Sequence, residues 1–382
     1  MSNSFTADLD TLPVLDNPTI LDPTLGDEIR AHLIEHGYAL VKAMEPSEAR
    51  AIYSEFWDWL EALGTGIKRD APSTWDSETA WPDQVHGIVQ SYGIGQAAFM
   101  WKCRTAPGVM RAFREVWLVE SDEDLITSFD GAGMYPGRAL SGENENETKE
   151  ESNNQAKGNT KQTASPSSAK RRKKSHSPFT RDGEYKLWPH RDQAADKGSM
   201  LCVQGVVNLT SNEGKYDGGL VVWPGSHLID WTVKYPGMSG SSGFFRIPDA
   251  PVSRKRPGTA ETIPSLSVTL RAPAGTLMLW DSRTIHCNRP PTTLGGTRAV
   301  TYICMFPRKK ATPAILRKRC NYYETWRTTS HWPAPITVNS DSKGWHSRNT
   351  VDPVAIMERR RKDERPYGEE DRLVRRLVGY DQ

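Results

Sequence analysis

Two periods of apolar and polar positions run along this chain of 382 residues, and the change from one to the other divides it. Near the start, LGDEIRAHLIEHGYALVK carries apolar side chains at helical spacing as far as Gly37, a residue suited to ending a helix, and then the short strand YALVK. PSEARAIYSEFWDWLEALG predicts a second helix, with Pro46 and Ser47 at its start and Gly64 past its end. Its stripe of Ile52, Phe56, Trp59, Leu60 and Leu63 faces a core. APGVMRAFREVW reads as another helix, and DLITSFDGAGMY as a strand ending in a glycine-rich turn. Ala71 to Gln96, rich in Pro, Gly and Trp, predicts a structured loop region over the mouth of the core.

From Tyr185 to Pro307 the period falls to two, and short strands alternate with turns. In SMLCVQGVVNLT, Cys202, Gln204, Val206 and Asn208 share one face, and Leu201, Val203, Val207 and Leu209 share the other; the first face is polar enough to line a pocket. GLVVWP and GTLMLW are further strands, PGSH is a tight turn around Gly225, and TRAVTYICMF is expected to pair with GTLMLW. Residues 235–264 predict a long surface loop. Past Pro307 the chain turns basic. HWPAPITV looks extended, IMERRRKDERPYGEEDRLVRRL reads as a solvated helix, and this tail is expected on the outside or edges of the core.

Residues 141–178 differ in kind, because they hold almost no large apolar side chain and so cannot offset the entropy of being ordered. They predict a disordered insertion. It ends in AKRRKK, which suits a nuclear-localisation or polyanion-binding patch and equally a plain solvated charge run. Overall charge selects no partner, since 49 basic against 47 acidic residues leave +2. Five cysteines without a C-x-x-C pair fit a reducing compartment. With no signal-peptide pattern, no apolar run of membrane-spanning length and no S-K-L ending, the expectation is an intracellular protein, cytoplasmic or nuclear and not secreted.

The chemistry concentrates in two distant segments. His190 and Asp192 in LWPHRDQ stand two apart, so in a strand they point to one face while Arg191 points to the other. His286 follows the strand GTLMLW, and Arg298 lies in the next apolar run. Two imidazoles and one carboxylate, with the opposite positions open, form the ligand set of non-haem Fe(II) oxygenases. The planar fork of Arg298 matches a carboxylate. Alone, a His-x-Asp pair is usually a surface hydrogen bond and a lone arginine usually an ion pair; the combination in this order is the signal. His32 and His36 stand one helical turn apart but lack a third ligand, and His227 reads as structural support for its turn.

These same segments, HRDQ, VQGVVNLTSN, DGGLVVWPGSH, PAGTLMLWDSRTIHCN and GTRAVTYICMF, resemble the phytanoyl-CoA dioxygenase-like family of Fe(II)/2-oxoglutarate oxygenases, most strongly over 185–308. HGYALVKAMEPSEA and DLITSFDGAGMYP resemble its N-terminal region, where Arg104 and Asp130 also fall, as pocket residues or as a salt bridge. The resemblance implies a mainly β fold with flanking helices around a double-stranded β-helix core (a cupin-like jelly roll). It divides the chain into an N-terminal region packing on the core (1–140), the insertion (141–178), the catalytic core (179–308) and a C-terminal extension (309–382). It also implies Fe(II) held by His190, Asp192 and His286, and 2-oxoglutarate whose far carboxylate pairs with Arg298, with Gln204, Asn208 and Asn288 in support. Oxygen would then hydroxylate a small organic or lipid-like substrate, with release of succinate and carbon dioxide; demethylation or desaturation are related outcomes. Halogenation is disfavoured, because the related halogenases lack the carboxylate ligand that Asp192 supplies.

Two other readings fit parts of the chain. One is a nuclear nucleic-acid base dioxygenase or demethylase, its AKRRKK, RKK and RKR clusters on phosphates and Trp75, Trp81 and Trp101 stacked on bases. The other is a catalytically silent jelly-roll binding protein, for which the full set of four residues would be unnecessary. Oligomeric state is not legible.

Overall fold

The computed structural model describes residues 18–75, 81–82, 84–135, 187–194, 196–233, 243–247, 254–255, 262–263, 267–291, 296–339 and 352–381. The expected insertion 141–178 with its AKRRKK run, and most of the loop at 235–264, lie outside the described residues. The strands are β1 (Ile20–Leu21), β2 (Tyr38–Lys42), β3 (Gln84–Val85), β4 (Ile88–Val89), β5 (Leu125–Thr127), β6 (Ala132–Tyr135), β7 (His190–Arg191) and β8 (Val203–Asn208). They continue with β9 (Gly219–Val222), β10 (Phe245–Arg246), β11 (Arg254–Lys255), β12 (Thr262–Ile263), β13 (Val268–Leu270), β14 (Thr276–Asp281), β15 (His286–Arg289) and β16 (Arg298–Pro307). The helices are α1 (Gly26–His36), α2 (Pro46–Glu61), α3 (Ala98–Thr105), α4 (Pro107–Trp117), α5 (Pro313–Glu324), α6 (Pro353–Asp363) and α7 (Arg372–Val378).

Two sheets make the body of a mainly β fold with flanking helices. The larger runs β1-β2-β14-β8-β16-β6-β4-β3, with β5 also on β16, and the smaller runs β10-β7-β15-β9-β13. The N-terminal region therefore does more than pack on the core: β2 pairs along its whole length with β14, from Tyr38 opposite Trp280 to Lys42 opposite Thr276. The expected pairing of TRAVTYICMF with GTLMLW is corrected, because β8 lies between β14 and β16. All six residues of β8 are buried, so both its edges need partners for their backbone N–H and C=O groups. DLITSFDGAGMY likewise forms two strands, β5 and β6, broken at Ser128–Gly131, and both pair with β16.

Period-two alternation then sorts the side chains into layers. Val206, Met278, Trp280, Val300 and Tyr302 of the large sheet meet Leu220, Val222 and Leu270 of the small one, so the two inner faces share a core. Val203, Val207, Leu277, Leu279 and Ile303 point the other way, against Phe56, Phe99 and Phe113 of α2, α3 and α4. The predicted α2 stripe is buried throughout. Burying a large apolar side chain is worth about 1.5–3 kcal/mol, so this helical layer anchors the outer face of the large sheet.

At the C-terminus the expected single solvated helix is two helices, α6 and α7, and the second is not solvated all round. Val374, Leu377 and Val378 recur at spacings of three and four and are buried. Arg319 of α5, itself fully buried, donates to the carbonyls of Val378 (2.7 Å), Leu377 (2.8 Å) and Pro333 (2.8 Å) and so closes the end of α7. No helix among the described residues is long and apolar enough to cross a membrane.

Candidate metal centre

His190 and His286 sit directly opposite one another on β7 and β15. The neighbouring sheet positions bring their rings to 4.3 Å between centroids. Asp192 leaves β7 just afterwards, its backbone N–H held by the Ser282 carbonyl at 3.2 Å. Its Oδ2 lies 3.4 Å from His286 Nε2 and 3.7 Å from His190 Nε2. One ligand atom from each of the three residues falls within 4.8 Å of the others.

Backbone carbonyls fix which nitrogen each imidazole presents. His190 Nδ1–H donates to Trp188 O at 3.1 Å and His286 Nδ1–H to Thr284 O at 3.0 Å, leaving both Nε2 lone pairs facing Asp192. Burial, reinforced by the adjacent His286, lowers the His190 pKa and so favours the neutral ring, the form in which imidazole binds a metal. Burial alone would raise Asp192, but the nearby His331 and His190 outweigh it and hold the carboxyl well below its usual range. Gln204 of β8 steadies Asp192 by donating Nε2–H to Oδ2 at 2.8 Å. The frame reaches back to α1: Gly37, left-handed at φ 82°, offers its carbonyl to Asp281 N and Thr284 Oγ1. A side chain there would strike Thr284 Oγ1 at 2.5 Å.

The trio opens into a cavity of about 260 Å³ between the two sheets. Its apolar wall includes Trp188, Leu220, Phe244, Trp280 and Tyr302, and Gln204 and Asn288 also line it. Arg298 shares the inward face of β16 with Tyr302 and is 1% exposed. Its Nη2 donates to Asn288 Oδ1 at 3.2 Å, and Asn288 in turn donates to Tyr302 OH at 2.7 Å. Nε and Nη1 of Arg298 have no partner among the described residues. A buried guanidinium with idle donors fits a carboxylate ligand.

Not every expected residue reaches this wall. Asn208 gives its amide N–H groups to Asn212 Oδ1 (2.7 Å) and Ala272 O (3.3 Å) and does not line the cavity, while its buried Oδ1 has no partner among the described residues. His227 is structural as expected, donating Nε2–H to Ile34 O at 2.9 Å. Trp75, Trp81 and Trp101 are buried at 5%, 4% and 0% exposure in the helical layer, so they offer no face to a base. Arg104 bonds the carbonyls of Gly95 (2.6 Å) and Asp130 (3.2 Å) and makes no ion pair with the Asp130 carboxylate, whereas Asp130 itself lines the cavity. Burial pushes Asp130 up to about 7 and Arg104 down to about 9.

Ser330, His331 and Asn339 also form the cavity wall, although the tail was expected on the outside or edges. The chain comes back because Phe129 and Thr329 are stitched together: Thr329 N–H donates to Phe129 O at 2.8 Å and Phe129 N–H to Thr329 Oγ1 at 3.1 Å. HWPAPITV carries too little periodicity to announce this.

No family model matches the sequence. The Aspergillus versicolor protein called Ava biosynthesis cluster protein O is 27% identical over 303 residues, which span 76% of this chain and 80% of that one. Among solved structures, a Salmonella typhimurium LT2 protein provisionally described as an oxidoreductase has a similar fold, with a TM-score of 0.50 at 13% identity over 94% of this chain and 86% of its own. The epimerase SnoN, solved with Fe3+, alpha-ketoglutarate and nogalamycin RO, aligns over 75% of this chain and 85% of its own at 15% identity and a TM-score of 0.41, too distant a likeness to bear on function here.

Proposed function

We propose that this chain is an Fe(II)- and 2-oxoglutarate-dependent oxygenase that hydroxylates a small organic molecule, built on a double-stranded β-helix core. The observation that carries the reading is the pairing of His190, Asp192 and His286 around one point with the buried, incompletely bonded Arg298 on the facing sheet. Two imidazoles and a carboxylate suit Fe(II) and leave coordination positions toward the cavity. Iron, when bound, would supply the site for oxygen and for the keto-acid end of 2-oxoglutarate. Arg298 would hold the far carboxylate of that cosubstrate, with Asn288 fixing the fork. Gln204 would keep Asp192 aimed, and Trp188, Trp280 and Phe244 would exclude water and pack the substrate. Retention of Asp192 favours hydroxylation, or a related demethylation or desaturation, over halogenation.

The nucleic-acid alternative loses its stacking platforms to burial. A silent binding protein would have no use for a cation-ready trio together with a carboxylate-ready arginine on the facing sheet. The test is succinate release from 2-oxoglutarate by the full chain with Fe(II) and oxygen. The expected result is turnover that His190→Ala, Asp192→Ala or His286→Ala abolishes and His227→Ala leaves in place; turnover that survives loss of His286 but not of His227 would overturn the assignment.

A further inference from the structure

The atoms without partners on the wall across from the small sheet include two acceptors, an oxygen of Asp130 and one of Gln204, and one donor, the Trp280 Nε1–H. Asp130, 7% exposed, uses Oδ1 to take its neighbour's Gly131 N–H at 2.7 Å; its other oxygen has no hydrogen bond or ion pair among the described residues. Gln204, 3% exposed, has its Nε2 committed to Asp192, which leaves Oε1 buried and unpartnered beside the cavity. His331 Nε2 is buried and unpartnered there as well. This wall is built rather than incidental: Gly95 N–H bonds Thr328 Oγ1 (3.1 Å), Asn339 N–H bonds Thr328 O (3.1 Å) and Asn339 Nδ2 bonds Thr329 O (2.8 Å).

Arg298 is not the answer to these acceptors. It lies four positions from Tyr302, roughly 13 Å along an extended strand, and it is the Tyr302 N–H that reaches Gly131 O, next to Asp130. The inner face of β16 thus has a donor-rich end at Arg298 and an acceptor-rich end at Asp130. An acyl chain seated against the acceptor end would leave it unsatisfied, at roughly tenfold in affinity for each buried acceptor.

We infer that the substrate carries an N–H or O–H donor, received by Asp130 in the cavity that Gln204 and His331 also line, on a flat ring that packs among Trp188, Trp280 and Phe244. This deepens the oxygenase reading and rests on it: the site takes a polar ring compound rather than a plain hydrocarbon chain. Binding that seats the donor on Asp130 would hold the ring's neighbouring carbon toward the trio.

The test uses the full chain and two matched probe pairs, phenol with anisole and 2-pyrrolidinone with its N-methyl derivative, with affinities from saturation-transfer NMR on metal-free protein. Each donor-bearing member should bind about 5–30-fold more tightly than its methyl-blocked partner, the worth of one hydrogen bond. Asp130→Leu should reduce that preference to less than about twofold. His331→Phe should weaken it, and serves if Asp130→Leu fails to fold. Equal binding of the paired probes, no binding by either member, or a preference that survives both substitutions would overturn the inference. Mn(II) uptake, followed separately by electron paramagnetic resonance, keeps the two readings apart. No uptake with the preference intact strikes the oxygenase reading, and uptake without the preference strikes the donor inference.

Discussion

Replacing Arg298 with Met should separate stability from function. In the ligand-free fold this guanidinium is 1% exposed and leaves Nε and Nη1 unpaired. Each buried, unsatisfied donor costs about 1–3 kcal/mol, so roughly 2–6 kcal/mol is relieved when both are removed. Against this stand the hydrogen bond to Asn288, worth about 1 kcal/mol, and the contact of the cation with the Tyr135 ring at 5.3 Å, worth about 1 kcal/mol. Asn288 keeps its bond to Tyr302. The balance predicts that metal-free Arg298→Met is as stable as the native chain or more stable by up to about 4 kcal/mol. Urea unfolding of the two proteins checks this directly. Adding Mn(II) and 2-oxoglutarate at about a hundred times its Kd should then stabilise the native chain by about 2.7 kcal/mol over Mn(II) alone and leave the variant unchanged. A variant destabilised by more than about 1.5 kcal/mol, or one still stabilised by 2-oxoglutarate, would show that Arg298 serves the fold and not a carboxylate.

Gln204→Ala should lower metal affinity by about 10–100-fold, the usual effect of removing a partner that aims a ligand; metal titration monitored by calorimetry reads it. Arg298→Lys keeps the charge and loses the fork, so it should weaken 2-oxoglutarate more than metal, as separate titrations of the two would show. Gly95→Ala should destabilise the protein by about 3 kcal/mol or more, because the new Cβ would lie 2.2 Å from Phe129 O and 3.1 Å from Thr328 Cα and would part the stitched wall; denaturant midpoints measure it. Burial holds the His227 imidazole below its ordinary value of 6.5, so the unfolded chain takes up its proton first. Its contribution is then complete above 6.5 and lost as pH falls through the folded value, and His227→Gln should flatten the acid limb of the stability–pH curve relative to the native chain.

Much of the trio was legible because strands carry their own geometry. A spacing of two puts His190 and Asp192 on one face, and a polar pair followed by an apolar strand and a second histidine leaves few other arrangements. The α2 stripe and the Gly37 stop were legible for the same reason: local periodicity states local structure. What was hidden depends on pairing between distant segments. Nothing in TRAVTYICMF says that β8 intervenes between it and β14, and nothing in HWPAPITV says that His331 returns to the cavity, since that return is made by Thr328, Thr329 and Asn339 bonding backbone far upstream. Arg319 shows the same limit. It sits in a basic tail expected on the outside or edges of the core, yet it is fully buried against four carbonyls. Trp75, Trp81 and Trp101 were open to two uses in sequence, and only their burial decides between them.

The central claim, that His190, Asp192 and His286 hold iron with 2-oxoglutarate beside it, is tested most directly by anaerobic titration of the full chain with Fe(II) and then 2-oxoglutarate, followed by visible absorption. The account predicts one iron per chain and a charge-transfer band that grows in with 2-oxoglutarate, disappears in Asp192→Ala and needs far more cosubstrate in Arg298→Met. Absence of the band from the native chain, or a band of full strength in Asp192→Ala, would contradict it.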